Sequence, residues 1–270
     1  MRRAAFAPRL APALAAAATT LAAPGGPGER EAGACSCMGP RLTLLSPERV
    51  DNAPVNARVR AEVPASRLPG SAANKLVLRA VGGAEVAVTM RTFAPGGRVE
   101  VVELVPRASL EPSTRYEVAF VDPEQYPSTI VFGTFRTGGA ADTTPPRLGR
   151  LGPASAHRSK RAGGGSCQIA GPWVVVEGVR ADDPDRAGAQ LSFGVWLGDA
   201  SGGIDASKPP TTIVSASRRV LHVGRTSLCD PHDFPLPKAG PIWLGIAALD
   251  EAGNASPLRR VRVNMAGRRR

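Results

Sequence analysis

The sequence predicts an all-β protein that consists of two consecutive β-sandwiches behind an N-terminal signal peptide. Apolar and polar residues alternate over many short segments, as they do in strands with one buried face. The 30 glycines and 26 prolines are scattered through the chain and interrupt any long helical periodicity. A segment rich in small residues and proline, GGAADTTPP (138–146), separates two stretches that both carry the strand pattern. We therefore expect two sandwiches joined by a linker.

The N-terminal segment has the features of an export signal. Arg2, Arg3 and Arg9 precede an uncharged apolar run (10–23) that is too short to cross a bilayer. Small residues suited to cleavage lie near its end and again directly before Cys35. We predict that residues 1–34 are a signal peptide with a flexible leader. The protein is then exported to the periplasm, the outer surface or the medium.

The first sandwich is predicted over residues 35–138. In NARVRAEV (56–63) the alternation directs the alanines and valines to the core and leaves three charged residues for solvent: Arg58, Arg60 and Glu62. A later strand, RVEVVELV (98–105), changes phase at Val101 and Val102. Such a phase change is typical of a β-bulge.

The linker is assigned to residues 139–146, and its Pro-Pro end should make it semi-stiff. The second sandwich is predicted over 147–265 and is followed by a basic tail, 266–270. Its clearest strand is QLSFGVWL (190–197), which places every second residue on one side: Leu191, Phe193, Val195 and Leu197.

Several motifs resemble the immunoglobulin-like and fibronectin type III-like modules of exported bacterial surface proteins. LSPERVDNAPVNARVRAEV (45–63) is similar to the opening of the SbsA-type Ig-like domain of S-layer proteins, and FGTFRTG (132–138) resembles its last strand. In the second unit, AALDEAGNASP (247–257) resembles the last hairpin of bacterial Ig-like repeats. The resemblance implies tandem Ig-like sandwiches that act as structural or binding modules.

The motif Leu110-x-Pro112-x-Thr114-x-Tyr116 belongs to the same resemblance. In such sandwiches a tyrosine at the start of the sixth strand turns its ring into the core, and its hydroxyl bonds back to the backbone a few residues upstream. We therefore expect a tyrosine corner that joins Tyr116 to the backbone near Leu110. This interpretation makes Tyr116 a structural residue rather than a catalytic phenol.

The four cysteines, Cys35, Cys37, Cys167 and Cys229, suit disulfide formation in an exported chain. Cys167 and Cys229 each precede a strand-like segment. If these are the second and sixth strands of a seven-stranded sandwich, they begin at the same end, which favours a Cys167–Cys229 bridge. The pairing of Cys35 and Cys37 stays open. Ala32 stands where a lipoprotein signal has leucine, and this disfavours a lipid anchor on Cys35.

Charge and motifs disfavour several classes of function. The net charge is +11, but the excess is mostly dispersed arginine without interleaved aromatic residues, so we expect no nucleic-acid partner. GDASGG (198–203) imitates a serine-protease loop, yet its extra Ala200 disturbs the backbone that builds an oxyanion hole. We predict no catalytic residues, no cofactor and no enzyme activity.

Two metal sites are weighed and neither is favoured over a solvated loop or a disulfide. Cys229-x-x-His232, with neighbouring aspartates, Cys167 and His222, has ligand types that zinc uses. The acidic loop ADDPDRAG offers oxygen ligands for calcium at a domain end through Asp182, Asp183 and Asp185, with Asp250 as a further ligand.

The function predicted from these features is that of a non-enzymatic exported or cell-surface spacer, adhesion or interaction module. Its partner would be a protein or polysaccharide of the envelope or the extracellular matrix. Two alternatives stay open. One is an accessory carbohydrate-binding module with Trp196 as a partly exposed platform, since Trp196 lies on the face opposite the core-directed residues of its strand. The other is a metalloprotease inhibitor whose mature chain begins at Cys35, because Cys-Ser-Cys resembles the start of the tissue inhibitors of metalloproteinases.

Overall fold

The computed structural model describes residues 42–47, 51–64, 75–93, 99–122, 126–158, 172–186, 189, 191–199, 201–216, 218–224 and 236–265. All of them lie within one compact unit, Gly33–Arg270. Every regular element in these residues is a β-strand, and all strand pairings within the sheets are antiparallel. Within these ranges we find no helix of the length and apolar character needed to cross a membrane. The predicted all-β class is confirmed.

Seven strands form the N-terminal sandwich: β1 (Thr43–Ser46), β2 (Val59–Pro64), β3 (Lys75–Ala80), β4 (Val88–Phe93), β5 (Val99–Pro106), β6 (Arg115–Asp122) and β7 (Tyr126–Arg136). One sheet has the order β1-β2-β5-β4 and the other has the order β3-β6-β7. Strands one, two, four and five thus share a sheet, and strands three, six and seven form the other. This is the arrangement of constant-type immunoglobulin domains.

The core of the N-terminal sandwich lies between these two sheets. Strand β2 contributes Val59, Ala61 and Val63, which are fully buried, and the facing sheet contributes Leu78 and Phe120. The period-two pattern of the sequence therefore identifies the inward face of β2 correctly.

The predicted bulge in β5 is wrong. Strand β5 pairs with β2 in continuous register from Val59↔Leu104 to Pro64↔Val99. Val102 lies in the core of the N-terminal sandwich, whereas Val101 points to the opposite face and is nevertheless only 2% exposed. Two adjacent valines are therefore apolar because β5 is buried on both faces, and the backbone needs no extra residue.

The C-terminal sandwich contains β8 (Arg147–Leu148), β9 (Ala154–Arg158), β10 (Pro172–Val176), β11 (Ala181–Asp182), β12 (Ser192–Gly198), β13 (Thr212–Ser215), β14 (Leu221–Gly224), β15 (Pro241–Leu249) and β16 (Arg259–Asn264). Its sheets have the orders β14-β10-β9 and β13-β12-β15-β16, with β8 and β11 as a short two-stranded ribbon. Their facing sides enclose a second core that includes Val174, Phe193 and Leu244.

The two sandwiches differ in the placement of one strand. In the N-terminal sandwich the fourth strand, β4, pairs with β5 and so lies in the sheet of the first two strands. In the C-terminal sandwich β13 occupies the equivalent place in chain order, once the β8–β11 ribbon is set aside. It pairs instead with β12, the strand that precedes it. The C-terminal sandwich therefore has the larger sheet on the side of its last two strands.

Several sequence predictions lie outside the described residues. These are the signal peptide (1–34), the basic tail (266–270) and all four cysteines: Cys35, Cys37, Cys167 and Cys229. The favoured Cys167–Cys229 bridge stays a prediction.

Tyr116 lies near the start of β6, and its side chain belongs to the core of the N-terminal sandwich. Its ring is 3% exposed and stacks on Phe135, with 5.6 Å between the ring centroids. Its hydroxyl accepts a hydrogen bond of 2.8 Å from the backbone N–H of Glu111, the residue after the buried Leu110. This is the geometry of a tyrosine corner.

We predict that Tyr116→Phe lowers the free energy of unfolding by about 1 kcal/mol or somewhat more, because it leaves the Glu111 N–H without its partner. Chemical denaturation followed by far-ultraviolet circular dichroism, which reports both sandwiches, measures the change. Glu111→Ala is the control, since it keeps the backbone donor and removes only an exposed side chain. An unchanged midpoint for Tyr116→Phe would contradict the structural role of the hydroxyl.

Candidate functional site

The two sandwiches meet at a buried junction. We use this name for the outer face of the β1-β2-β5-β4 sheet, the segment 139–146 and the β15–β16 loop (250–258), together with the residues that pack between them. Its apolar part is a cluster separate from either core: Phe93 and Val101 from the N-terminal sandwich, and Ile213 and Leu249 from the C-terminal sandwich. Each of these four residues is at most 7% exposed. The junction therefore excludes water from part of the outer face of a sheet.

Arg60 lies at the centre of the junction, and the prediction that it faces solvent is wrong. Its side chain is 1% exposed. The guanidinium Nε donates to Glu103 Oε1 at 3.0 Å, and Nη1 donates to the backbone carbonyl of Asp250 at 2.8 Å. Burial lowers the pKa of Arg60, and the charge and hydrogen bond of Glu103 oppose that shift. The residue alternates away from the core as expected, but the second sandwich covers that face.

The β15–β16 loop forms the second contact. The backbone N–H of Arg58 donates to the carbonyl of Glu251 at 2.7 Å, so a main-chain hydrogen bond joins the two sandwiches. Gly253 has φ of +83° and lies against the Arg58 side chain, where a Cβ would collide with the guanidinium. The left-handed φ favours glycine here, and a larger residue would displace the Arg58 side chain.

The linker is hydrogen-bonded to both sandwiches through Asp142. Its backbone N–H donates to Asn56 Oδ1 at 2.9 Å, and its carbonyl accepts from Asn56 Nδ2 at 2.8 Å. The same carbonyl accepts from Asn254 Nδ2 of the β15–β16 loop at 3.1 Å. The middle of the linker is thus held by one asparagine from each sandwich.

Three aspartates converge beside this linker. Asp142, Asp183 and Asp250 each place a carboxylate oxygen within 4.8 Å of the others, and they are 7%, 8% and 1% exposed. They come from the linker, the loop after β11 and the loop after β15. We call them the aspartate cluster.

Within the described residues, the hydrogen bonds of the aspartate cluster leave one fully buried oxygen without a partner. Asp250 accepts from Asn254 at both carboxylate oxygens, and Asp183 Oδ1 accepts from the N–H of Asp185. Asp142 Oδ1 accepts from the N–H of Thr144 at 3.0 Å. Asp142 Oδ2 is buried and has no hydrogen-bond partner among the described residues.

The electrostatic environment of the cluster disfavours charge. Burial raises the pKa of Asp250, and the nearby charge of Asp142 adds to this effect against the hydrogen bonds from Asn254. Burial also raises the pKa of Glu251. The ion pair with Arg186 opposes this shift, whereas the charges of Asp183 and Asp250 reinforce it. The loops therefore crowd negative charge into a place with little water.

The structure brings only two of the predicted calcium ligands together. Asp183 and Asp250 come together, whereas Asp182 and Asp185 are exposed and lie outside the cluster. The sequence analysis missed Asp142, because a single aspartate in a linker has no spacing pattern. Its position next to Thr-Thr-Pro-Pro, where two domain ends meet, is the only local clue.

The prediction of a partly exposed Trp196 platform is wrong. Trp196 is 9% exposed, and its indole N–H donates to the carbonyl of Lys208 at 2.8 Å. Its ring lies over Gly194, where a Cβ would be 3.0 Å from the ring carbons. The outer face of β12 is thus closed by its own tryptophan.

A different tryptophan forms an aromatic surface on the C-terminal sandwich. Trp173 is half-buried and stacks on His157, its cross-strand partner, with 5.5 Å between the ring centroids and 15° between the planes. Both rings lie on the face of the β14-β10-β9 sheet opposite the core residue Val174. The sequence analysis did not single out this pair because the two residues lie on separate strands.

The remaining candidates of the sequence analysis are the protease-like segment and the zinc ligands. In the protease-like segment GDASGG, the Ser201 hydroxyl donates to Asp199 Oδ1 at 2.6 Å within an exposed turn. Of the zinc candidates, His222 is exposed on β14, while Cys167, Cys229 and His232 lie outside the described residues.

Comparisons with known proteins add little beyond the fold class. No family model matches the sequence, and no curated protein matches it. Among solved structures, the chain is similar to the tandem Ig repeats of Dlar at 11% identity, with 82% of this chain and 97% of that chain covered and a TM-score of 0.31.

Two further structures have similar values. The fibronectin(III)-like modules of Clostridium thermocellum CbhA are 10% identical, cover 83% of this chain and 93% of their own, and have a TM-score of 0.24. The Ig1-2 module of the Drosophila receptor protein tyrosine phosphatase DLAR is 10% identical, covers 83% and 97%, and has a TM-score of 0.28. At such scores these likenesses carry no argument about function, and the strand orders above carry the assignment of an Ig-like fold.

We predict that Arg60→Met lowers the free energy of unfolding by about 3 kcal/mol or more, because it removes the hydrogen-bonded partner of the buried Glu103 and leaves only the longer contact of 3.9 Å to Arg58. Urea denaturation measures the change. Arg79→Met is the matched control, since Arg79 forms a similar cross-strand pair with Glu117 but is 32% exposed at its side chain. That control should cost about 1 kcal/mol or less. Equal losses for the two variants would show that Arg60 is not the buried anchor described above.

Proposed function

We propose that this chain is a non-enzymatic exported or cell-surface protein whose two Ig-like sandwiches act together as a structural and interaction module. The supporting observation is the junction. A spacer with freely moving domains needs only a flexible linker, whereas here Arg60, Val101 and Leu249 are buried between the sandwiches. We propose the domain boundaries 35–138 and 147–265, with residues 139–146 as a linker held in a defined conformation.

A module of this kind holds its two sandwiches in a fixed relative position and catalyses no reaction. Both sandwiches have their own cores, so each is a stable block, and the junction sets the angle between the blocks. Interfaces between domains of one chain are mobile by default unless they are large and hydrophobic. Three features of the junction oppose such motion. They are the apolar cluster, the buried ion pair of Arg60 with Glu103, and the hydrogen bonds from Asn56 and Asn254 to the linker. The partner that we propose is a protein or polysaccharide of the envelope or extracellular matrix.

We predict that Ile213→Glu separates the two sandwiches, because it places an unpaired charge in the apolar cluster of the junction. Small-angle X-ray scattering should show a larger radius of gyration, while the far-ultraviolet circular dichroism of the two sandwiches is retained. The control is Val131→Glu, which makes the same kind of change at a strand residue that is 43% exposed.

Two outcomes are decisive in this experiment. An unchanged scattering curve for Ile213→Glu would overturn the proposal that the junction sets the arrangement. If Ile213→Glu does not fold, the milder Leu249→Ala truncates the same cluster and is measured in its place. Protease accessibility of the protein on intact producing cells tests the proposed export separately.

The Trp173–His157 pair favours a second candidate function, carbohydrate binding at the outer face of the β14-β10-β9 sheet. An accessible aromatic face offers apolar area to the faces of sugar rings. We predict that Trp173→Ala abolishes binding in a glycan array, whereas Trp196→Phe, which changes a buried ring, leaves it intact. Absence of glycan binding by the wild-type protein, or equal loss in both variants, would eliminate this candidate.

A further inference from the structure

We propose that Asp142, Asp183 and Asp250 bind one calcium ion at the junction, and that this ion ties the linker to the C-terminal sandwich. The proposal goes beyond the structural function above, because it assigns a ligand. It also replaces the sequence-based set of neighbouring aspartates by three residues from separate segments of the chain.

The spacing of the oxygens fits calcium. Calcium binds oxygen ligands at 2.3–2.6 Å, so two ligands on opposite sides of the ion are about 4.6–5.2 Å apart. The three aspartates offer oxygens that all lie within 4.8 Å of one another. Magnesium needs oxygens at 2.0–2.1 Å in strict octahedral geometry, which limits opposite ligands to about 4.2 Å. A separation of at most 4.8 Å lies within the span of a calcium coordination sphere, and three protein carboxylates favour calcium, because magnesium keeps several waters and is usually held by one or two carboxylates.

An unpaired oxygen in the cluster is the second, independent observation. Asp142 is 7% exposed, and its Oδ2 is buried without a hydrogen-bond partner among the described residues. A buried acceptor without a partner is costly, and a buried carboxylate oxygen is more costly still. Glu251 Oε1, on the residue next to Asp250, is likewise buried without a described partner. A cation between the aspartates would be a partner for Asp142 Oδ2, and its positive charge would offset the negative charge around Glu251 Oε1.

The described arginines of the junction form no ion pair with the cluster, although the charges of Arg60 and Asp250 attract each other. Arg58 and Arg60 form their ion pairs with Glu103, and Arg186 forms its ion pair with Glu251. Among the described residues, no lysine or arginine forms an ion pair with any of the three aspartates. Buried charges in proteins are paired or coordinate metals, and these three carboxylates have no ion pair within the described part of the chain.

The origin of the three residues gives the ion a mechanical role. Asp142 belongs to the linker, and its backbone is held by Asn56 of the N-terminal sandwich. Asp183 and Asp250 belong to two loops at the same end of the C-terminal sandwich. A bound ion therefore closes a connection from the N-terminal sandwich through the linker to both loops. Extracellular calcium is abundant enough to occupy weak sites of this kind.

The test uses the full chain with its cysteines intact, freed of metal with a chelator and then titrated with calcium chloride by calorimetry. We expect one calcium ion per chain, with a dissociation constant on the order of 10⁻⁴ M or tighter, as in extracellular modules. Magnesium chloride should bind at least about tenfold more weakly because of its stricter geometry. Calcium should also raise Tm.

Two variants and a matched control locate the site. Asp183→Asn should weaken calcium binding by about tenfold or more, since the number of charged ligands sets the affinity of such sites. Asp142→Asn should have the same effect, and without calcium its Tm should equal or exceed that of the wild type, because the variant removes repulsion between buried charges. Asp182→Asn changes an exposed aspartate of the same loop and should bind calcium as the wild type does.

The outcomes are distinct for each claim. No heat and no rise of Tm with calcium in the wild-type protein would overturn the proposal. Equal weakening in Asp182→Asn and Asp183→Asn would show that calcium binds along the exposed loop rather than in the cluster. A loss of Tm for Asp142→Asn in the absence of calcium would show that the carboxylate serves packing instead. None of these results depends on the radius of gyration, so the proposed structural function is judged separately.

Discussion

A guanidinium on the outer face of a sheet loses its hydration when a second domain covers it, and the structure around the junction follows from this constraint. Arg60 needs acceptors for its donors once water is excluded. Glu103, directly across in the register of β2 and β5, supplies a carboxylate, and Asp250 supplies a main-chain carbonyl from the other sandwich. The first partner is local, but the second exists only when the β15–β16 loop has docked. The buried guanidinium thus has both of these hydrogen bonds only in the docked arrangement.

The same docking explains why acidic residues gather at the linker. The β15–β16 loop carries Asp250 and Glu251 toward the N-terminal sandwich, and the loop after β11 carries Asp183 and Arg186 to the same place. Arg186 neutralises Glu251, but the aspartates have no such partner among the described residues. A junction that brings these loops together thus also concentrates oxygen ligands, so the proposed structural role and the proposed calcium site have a common origin.

Much of the fold could be predicted from the sequence, because strand alternation is a local property. The inward residues of β2 and β12 follow from period two, and the motif that ends in Tyr116 places a ring and a hydroxyl where a sandwich of this class needs them. The same rule failed at Arg60, Val101 and Trp196. Each of these residues lies on the face opposite the core, and that face is also buried, which at Val101 imitates the phase change of a bulge. Alternation specifies the face of a strand and contains no information about what covers it.

The sequence by itself determined the all-β class and which face of each main strand meets a core, since both depend on the pattern of neighbouring residues. Tertiary structure alone decided that β5 is buried on both faces and that Asp142 lies beside Asp183 and Asp250, residues that are about 40 and 110 positions away. The physical reason is that these contacts join surfaces that are already folded. Their energies come from shape, desolvation and charge across a junction, and no local pattern encodes the meeting of two distant loops.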